Sequence, residues 1–178
     1  MHLLSSFNFL TLKPIIYVCN VDENSVKEGN NLTQLVNKYA IKNKTISIII
    51  SAKIESEIAC VGNLDEKKEL LEVIGLEETS LTTLIRKGYD LLNLITFFTS
   101  GPKESRAWSI KSGTFAPDAG AKIHTDFKKG FIRAEVISYE DFITFSGESN
   151  CRENGKLRQE GKEYKVEDGD IITFRFNV

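Results

Sequence analysis

Residues 46–50, Ile-Ser-Ile-Ile-Ile, form an almost unbroken β-branched run, the pattern of a strand covered on both faces, as in parallel sheets. A second apolar run, Pro14-Ile15-Ile16-Tyr17-Val18-Cys19, precedes it, with Pro14 at its entrance, where a missing N–H is tolerated. Each run ends in polar residues: Asn20-Val21-Asp22-Glu23 after one, Ser51-Ala52-Lys53 after the other. Open α/β sheets bind ligands at the C-terminal ends of their strands. Asn20, Val21, Glu23, Ser51, Ala52 and Lys53 are therefore the candidate ligand-binding residues, with strand-end turn formation as the plainer alternative. The 178 residues contain no Gly-x-x-x-x-Gly-Lys-[Ser/Thr] loop; Gly155-Lys156 and Gly161-Lys162 are followed by Leu157 and Glu163. Such a loop supplies the nest of N–H groups for phosphates and a hydroxyl for Mg²⁺. The sequence predicts that a base is read here and that no triphosphate is hydrolysed.

Helical periodicity predicts helices over 31–39, 66–74 and 81–92. Leu32, Leu35, Val36 and Tyr39 share the inward face of the first; Leu81, Leu84, Ile85, Tyr89 and Leu92 share that of the last. Gly75 stops the second as a C-cap, and Thr79-Ser80 starts the third. Two strands and three helices are too few to close a doubly wound sheet, so residues 1–96 read as an incomplete α/β half with unpaired edges. From residue 97 the grammar changes to short strands and turns. Strands are predicted at 104–110 and 130–137, a helix over 118–128 and a short one over 139–145. A hairpin is predicted from 163–166 through Glu167-Asp168-Gly169-Asp170 to 171–176. Ile132, Val136, Ile172, Phe174 and Phe176 would form its core. Residues 97–178 thus read as a small α+β domain of β-grasp type.

No apolar span approaches the ~20 residues that cross a bilayer, and the apolar start has no basic n-region; no membrane partner is expected. Cys19, Cys60 and Cys151 are odd in number and far apart, which suits a reducing compartment, with the cytoplasm as default. The net charge of −2 lies wholly before residue 97, since acidic and basic residues balance after it. Bulk electrostatics therefore do not mark a nucleic-acid binder. Local clusters would have to serve: Lys128, Lys129 and Arg133, or Arg152, Lys156 and Arg158, with solvated surface charge as the alternative. His124 and Trp108 read as packing or hydrogen-bonding residues.

Several motifs carry a resemblance. Phe97-Phe98-Thr99-Ser100-Gly101, Glu104-x-Arg106-Ala107-Trp108, Ile123-His124-Thr125-Asp126-Phe127, Gly130-Phe131-Ile132-Arg133-Ala134-Glu135 and Asp168-Gly169-Asp170-Ile171-Ile172-x-Phe174-Arg175-Phe176-Asn177-Val178 resemble the C-terminus of the YchF/Obg-like ATPase family. Leu12-Lys13-Pro14, Asn20-Val21-Asp22-Glu23, Ser51-Ala52-Lys53-Ile54-Glu55 and Gly88-Tyr89-x-Leu91-Leu92 match the same family in the same order. The resemblance implies the C-terminal half of a P-loop G-type domain followed by a β-grasp TGS domain. It implies ATP, with GTP less favoured, and Mg²⁺ as ligands of the full-length family, none held tightly by this chain. Asn20 is then the base-contacting amide, Val21 stands where a Lys is usual, Glu23 ends the Asn-x-x-Glu motif, and Ser51-Ala52 with Lys53 completes the base pocket. The family's phosphate loop and switch segments are expected before Met1. Departures occur at Ala119-Gly120-Ala121, at Lys128 after Asp126-Phe127, and at Thr173.

Three functions follow from this. One is a binding module that docks on the ribosome or rRNA through the TGS domain, using Lys128, Lys129 and Arg133, without turnover. Another is an ATPase or GTPase completed by a phosphate-loop half supplied from elsewhere. The third is a gene-decay fragment without activity.

Overall fold

The computed structural model describes residues 7–101 and 103–177. The first residues of the apolar start and the final Val178 of the C-terminal motif lie outside them. Two units make up the chain, Met1–Leu91 and Leu92–Val178. The boundary expected after Thr96 falls inside strand Leu94–Ser100, which pairs along its whole length. Leu94-Ile95-Thr96 continue the β-favouring run of Phe97-Phe98, so the break comes earlier.

In the first unit β1 (Ile16–Asn20) and β2 (Ile46–Ile50) run parallel, Asn20 beside Ile50. Between them lies α1 (Asn31–Lys42); α2 (Ala52–Cys60), α3 (Leu64–Ile74) and α4 (Ser80–Leu92) follow. A capping box starts α1: the Asn30 side chain accepts from the N–H groups of Leu32 and Thr33, and Thr33 Oγ1 accepts from the Asn30 N–H. Such caps contribute about 1 kcal/mol. Gly75 ends α3 in the left-handed region, φ +80°, as its sequence position implied. The periodicity gives no signal for α2, and Ser51-Ala52-Lys53 stand in the sequence only as a polar segment at a strand end. They are the entrance to a helix whose Ile54 and Ile58, one turn apart, are buried against Val26. Leu70, Leu71 and Ile74 of α3 cover that core. The inward faces expected for α1 and α4 are not inward. Leu32, Leu35, Tyr39, Leu81, Ile85 and Leu92 are each more than half exposed, and α1 buries Thr33 and Ala40 instead. Two strands are too narrow to cover both apolar stripes.

The second unit contains β3 (Leu94–Ser100), β4 (Ser105–Lys111), α5 (Ala116–Ile123), α6 (Thr125–Lys129) and β5 (Phe131–Ile137). These are followed by α7 (Tyr139–Thr144), α8 (Glu148–Glu153), β6 (Arg158–Glu160) and β7 (Ile171–Phe176). The five strands lie in the order β4-β3-β7-β5-β6, with β3 and β7 parallel and the other pairs antiparallel. Phe97, Ala119, Ala134, Val136, Ile172 and Phe174 lie in the core between the sheet and α5. Trp108 packs on that core, with its Nε1–H donating to Thr99 Oγ1 at 3.0 Å.

Three local expectations change. The Asp-Gly turn makes no hairpin, because β7 inserts between β3 and β5 while Lys165 bridges Phe115. The turn caps β3 instead: Asp168 Oδ1 accepts from the Thr96 N–H at 2.7 Å, and the Gly169 N–H donates to Thr96 O at 2.8 Å. The 118–128 helix breaks at His124, whose Nδ1 accepts from the Asp126 N–H at 3.3 Å and caps α6. A bulge between Phe131 and Arg133 leaves Ile132 54% exposed, and Phe131 takes its core place. Gly130 serves packing: a Cβ there would stand 1.7 Å from Asn177 O, whose own N–H donates to Gly130 O at 2.8 Å.

Hydrogen exchange should be slowest in β5 and β7, each paired on both sides, and faster in β1 and β2, which have no outer neighbours among the described residues. Equal, strong protection of all four strands would contradict this.

Candidate nucleotide and nucleic-acid sites

Parallel pairing brings the two polar strand ends together. The Val21 N–H donates to Ile50 O at 2.9 Å, carrying the ladder one step past the strands. Asn20 Oδ1 then accepts from the Ala52 N–H at 3.0 Å. The bond ties the end of β1 to the first turn of α2 and fixes which way the amide faces. Its Nδ2 has no hydrogen-bond partner among the described residues and remains a donor. Ser51 precedes α2 in extended geometry; it is fully buried, and its Oγ has no partner among the described residues. An unsatisfied buried hydroxyl costs about 1–3 kcal/mol.

Lys53 Nζ forms an ion pair with Glu23 Oε1. Each partner shifts the other, the Glu23 carboxyl downward and the Lys53 ammonium upward, chiefly through that hydrogen bond. Both are exposed, so the pair closes the rim without adding much stability. Asp22 Oδ1 holds the loop by accepting from the Ser25 N–H at 2.9 Å. Val21 behaves differently from its companions: it packs on the Val26–Ile54–Ile58 core and anchors the loop from beneath. Asn20, Ala52, Lys53 and Glu23 thus converge at one rim, with Ser51 buried beneath it. A cavity of about 320 Å³ opens beside it, lined by Tyr17, Asn20, Val21 and Thr33 among others. No group of three or more His, Cys, Asp or Glu suited to a metal occurs among the described residues.

The nominated basic residues of the second unit do not share a face. Lys128 and Lys129 end α6 in the helix layer, where Lys128 forms an ion pair with Asp118. Arg133 lies on the other side of the sheet, since its neighbours in the pleat, Ala134 and Val136, face the core. There it meets Glu135 at 3.2 Å. The second cluster also disperses: Lys156 pairs with Asp141 at 3.2 Å and Arg158 with Asp170 at 3.4 Å. Only Arg152 joins Arg133, standing 3.8 Å from Glu135. Arg175, unremarked in the sequence as a site residue, stands 2.9 Å from the same carboxylate. Alternation along β5 and β7 was the available signal, because Arg133, Glu135 and Arg175 all fall on the non-core side.

These features define an α/β unit with a polar strand-end rim, joined to a mixed-sheet module. The family model YchF-GTPase_C, described as a protein of unknown function (DUF933), matches residues 94–177. The "Ribosome-binding ATPase YchF" of Haemophilus influenzae is 53% identical over 175 residues, covering 98% of this chain and 48% of the relative. Its namesake in Bacillus subtilis is 47% identical over 178 residues, with 99% and 48% covered. The solved Schizosaccharomyces pombe YchF GTPase matches with a TM-score of 0.84 at 34% identity, over 98% of this chain and 46% of that one. The chain belongs to the YchF family, and it spans about half the length of the curated relatives it matches.

The Glu135 carboxyl is held below the usual carboxylate range, first by its hydrogen bond to Arg175 and then by Arg133. A depressed folded-state value means stability that is complete above the ordinary glutamate value of 4.5 and lost as pH falls through the lower folded value. Glu135→Gln should therefore flatten the acid limb of the stability profile of the second unit. An unchanged acid limb would show that the carboxylate is not held this way.

Proposed function

We propose that this chain is the base-reading and ribosome-docking half of a YchF-type ribosome-binding ATPase. The first unit is the C-terminal half of a P-loop G-type domain and contacts an adenine base. The observation that carries this reading is the bond from the Ala52 N–H to Asn20 Oδ1, which leaves the Asn20 Nδ2 donors for an acceptor nitrogen of a purine. Ser51 and Ala52 line the base pocket, and Lys53, held by Glu23, closes its rim. Glu23 is paired with Lys53 rather than held out to accept the N1–H and N2 donors of guanine, which adenine lacks. The exposed apolar stripes of α1 and α4 are where the remainder of a family G domain would pack. Phosphate and Mg²⁺ contacts belong to that remainder, and phosphoryl transfer rests almost wholly on such positioning and electrostatics.

The second unit supports a TGS domain of β-grasp type. Its strand order puts the first and last strands parallel at the centre, with one helical crossover between the outer pairs. We assign it the ribosome contact, with Lys128 and Lys129 on its helix layer, and the cytoplasm as the place of action. No helix among the described residues is long and apolar enough to cross a membrane.

Purified chain should show no ATP or GTP hydrolysis above background, since its 178 residues hold no phosphate loop. Turnover abolished by Asn20→Ala or Lys53→Ala would overturn this. Asn20→Asp keeps an acceptor for the Ala52 N–H but loses the amide donors, so it should fold normally and lose any adenine binding. Unchanged binding by that variant would remove Asn20 from the site. Charge reversal at Lys128 and Lys129 should weaken co-sedimentation with ribosomes at low salt while the fold persists. Equal co-sedimentation would return both lysines to solvated surface charge.

A further inference from the structure

We propose that Glu135, an acidic residue, is the positioning anchor of an RNA-binding surface, holding Arg133, Arg152 and Arg175 as a fixed set of phosphate donors. This deepens the ribosome-binding reading and rests on it for the choice of RNA. Glu135 is only 6% exposed, yet it lies on the side of β5 opposite the core residues Ala134 and Val136. Arg175 on β7 and Arg133 on β5 both bond to its carboxylate, at 2.9 and 3.2 Å. Arg152 on α8 reaches it at 3.8 Å and binds Glu148 at 2.9 Å. Three guanidiniums thus face two carboxylates, which leaves the patch positive. Each guanidinium has five N–H donors in a planar fork, far more than the anchor uses, and each side chain is roughly half exposed.

The chemistry of the surround selects the partner. Thr173 and Gln159 stand opposite Glu135 on the two neighbouring strands and share its face. Ile132, next to Arg133 in sequence, adds one exposed apolar side chain. Protein interfaces are built around an apolar core with a polar rim, whereas the immediate neighbours of Glu135 across both strands are polar. Spaced, singly charged phosphates suit it, because an arginine fork matches a phosphate in two-point contact. An unanchored arginine would lose rotamer freedom on binding RNA; here the anchor has already ordered it. The consequence is counter-intuitive: neutralising Glu135 adds net positive charge and still weakens binding.

The test is a fluorescence-anisotropy titration of a labelled RNA duplex with the full chain at low salt, beside ribosome co-sedimentation. Arg133→Ala with Arg175→Ala should weaken RNA binding at least about tenfold. Glu135→Gln should weaken it several-fold, and the logarithmic salt slope of the unaltered chain should be about −2 to −3, for two or three phosphates. Unchanged melting of Arg133→Ala separates loss of contact from loss of fold. Tighter binding by Glu135→Gln, or unchanged binding by the double variant, overturns the proposal. Ribosome co-sedimentation without RNA binding overturns it in favour of a ribosomal protein partner and leaves the ribosome reading intact. RNA binding with the expected variant losses but no co-sedimentation upholds the arginine surface and defeats the ribosome reading instead.

Discussion

The parallel register of β1 and β2 sets the geometry of the first unit. With Asn20 beside Ile50, the residues that follow each strand emerge at the same edge. One more ladder bond from Val21 keeps them in step. Asn20 can then reach the first free N–H of α2, and the Glu23 side chain can reach Lys53. A shift of one residue would turn Asn20 to the opposite face of the strand and dissolve the rim. The buried positions Ile48, Ile54 and Ile58 hold that register from beneath, so packing in the core fixes polar geometry at the edge.

The second unit solves a different problem. Its central strands, β3 and β7, come from opposite ends of the unit and run parallel, which requires the chain to cross over between them. Gly130 and Asn177 approach each other so closely that no side chain fits between them. The Asp168–Gly169 turn secures β3 through both backbone groups of Thr96. Inside the sheet, Asp170 is 2% exposed and accepts from the Tyr164 hydroxyl and the Glu167 N–H. Burial raises its pKa, while those hydrogen bonds lower it. On the far face, Glu135 gathers arginines from β5, β7 and α8.

Much of this was legible in the residues. Continuous apolar runs identified β1 and β2, short polar segments marked their ends, and the resemblance named the family correctly. Of the strand-end residues, Asn20 bonds to the Ala52 N–H and Glu23 to Lys53, while Ser51 lies buried. What failed was long-range. The Asp-Gly signal is local, and it could not reveal that β7 pairs with β3 and β5 rather than with its sequence neighbour. Ile132 broke strand alternation because a bulge, invisible to periodicity, intervenes. Lys128, Lys129 and Arg133 are close in sequence but separated by the thickness of the sheet, whereas Arg133 and Arg175 are distant in sequence and adjacent in space. Apolar stripes on α1 and α4 predicted burial that two strands cannot provide.

The account stands or falls on whether the rim at Asn20 and Ala52 recognises a purine. A two-dimensional ¹⁵N correlation titration with ATP, against GTP as comparison, reads this directly even at millimolar affinity. The account predicts saturable shifts at the Asn20 side-chain amide and the backbone N–H groups of Ala52 and Lys53, larger with ATP than with GTP. Shifts confined to other residues, or none at millimolar ATP, would contradict it.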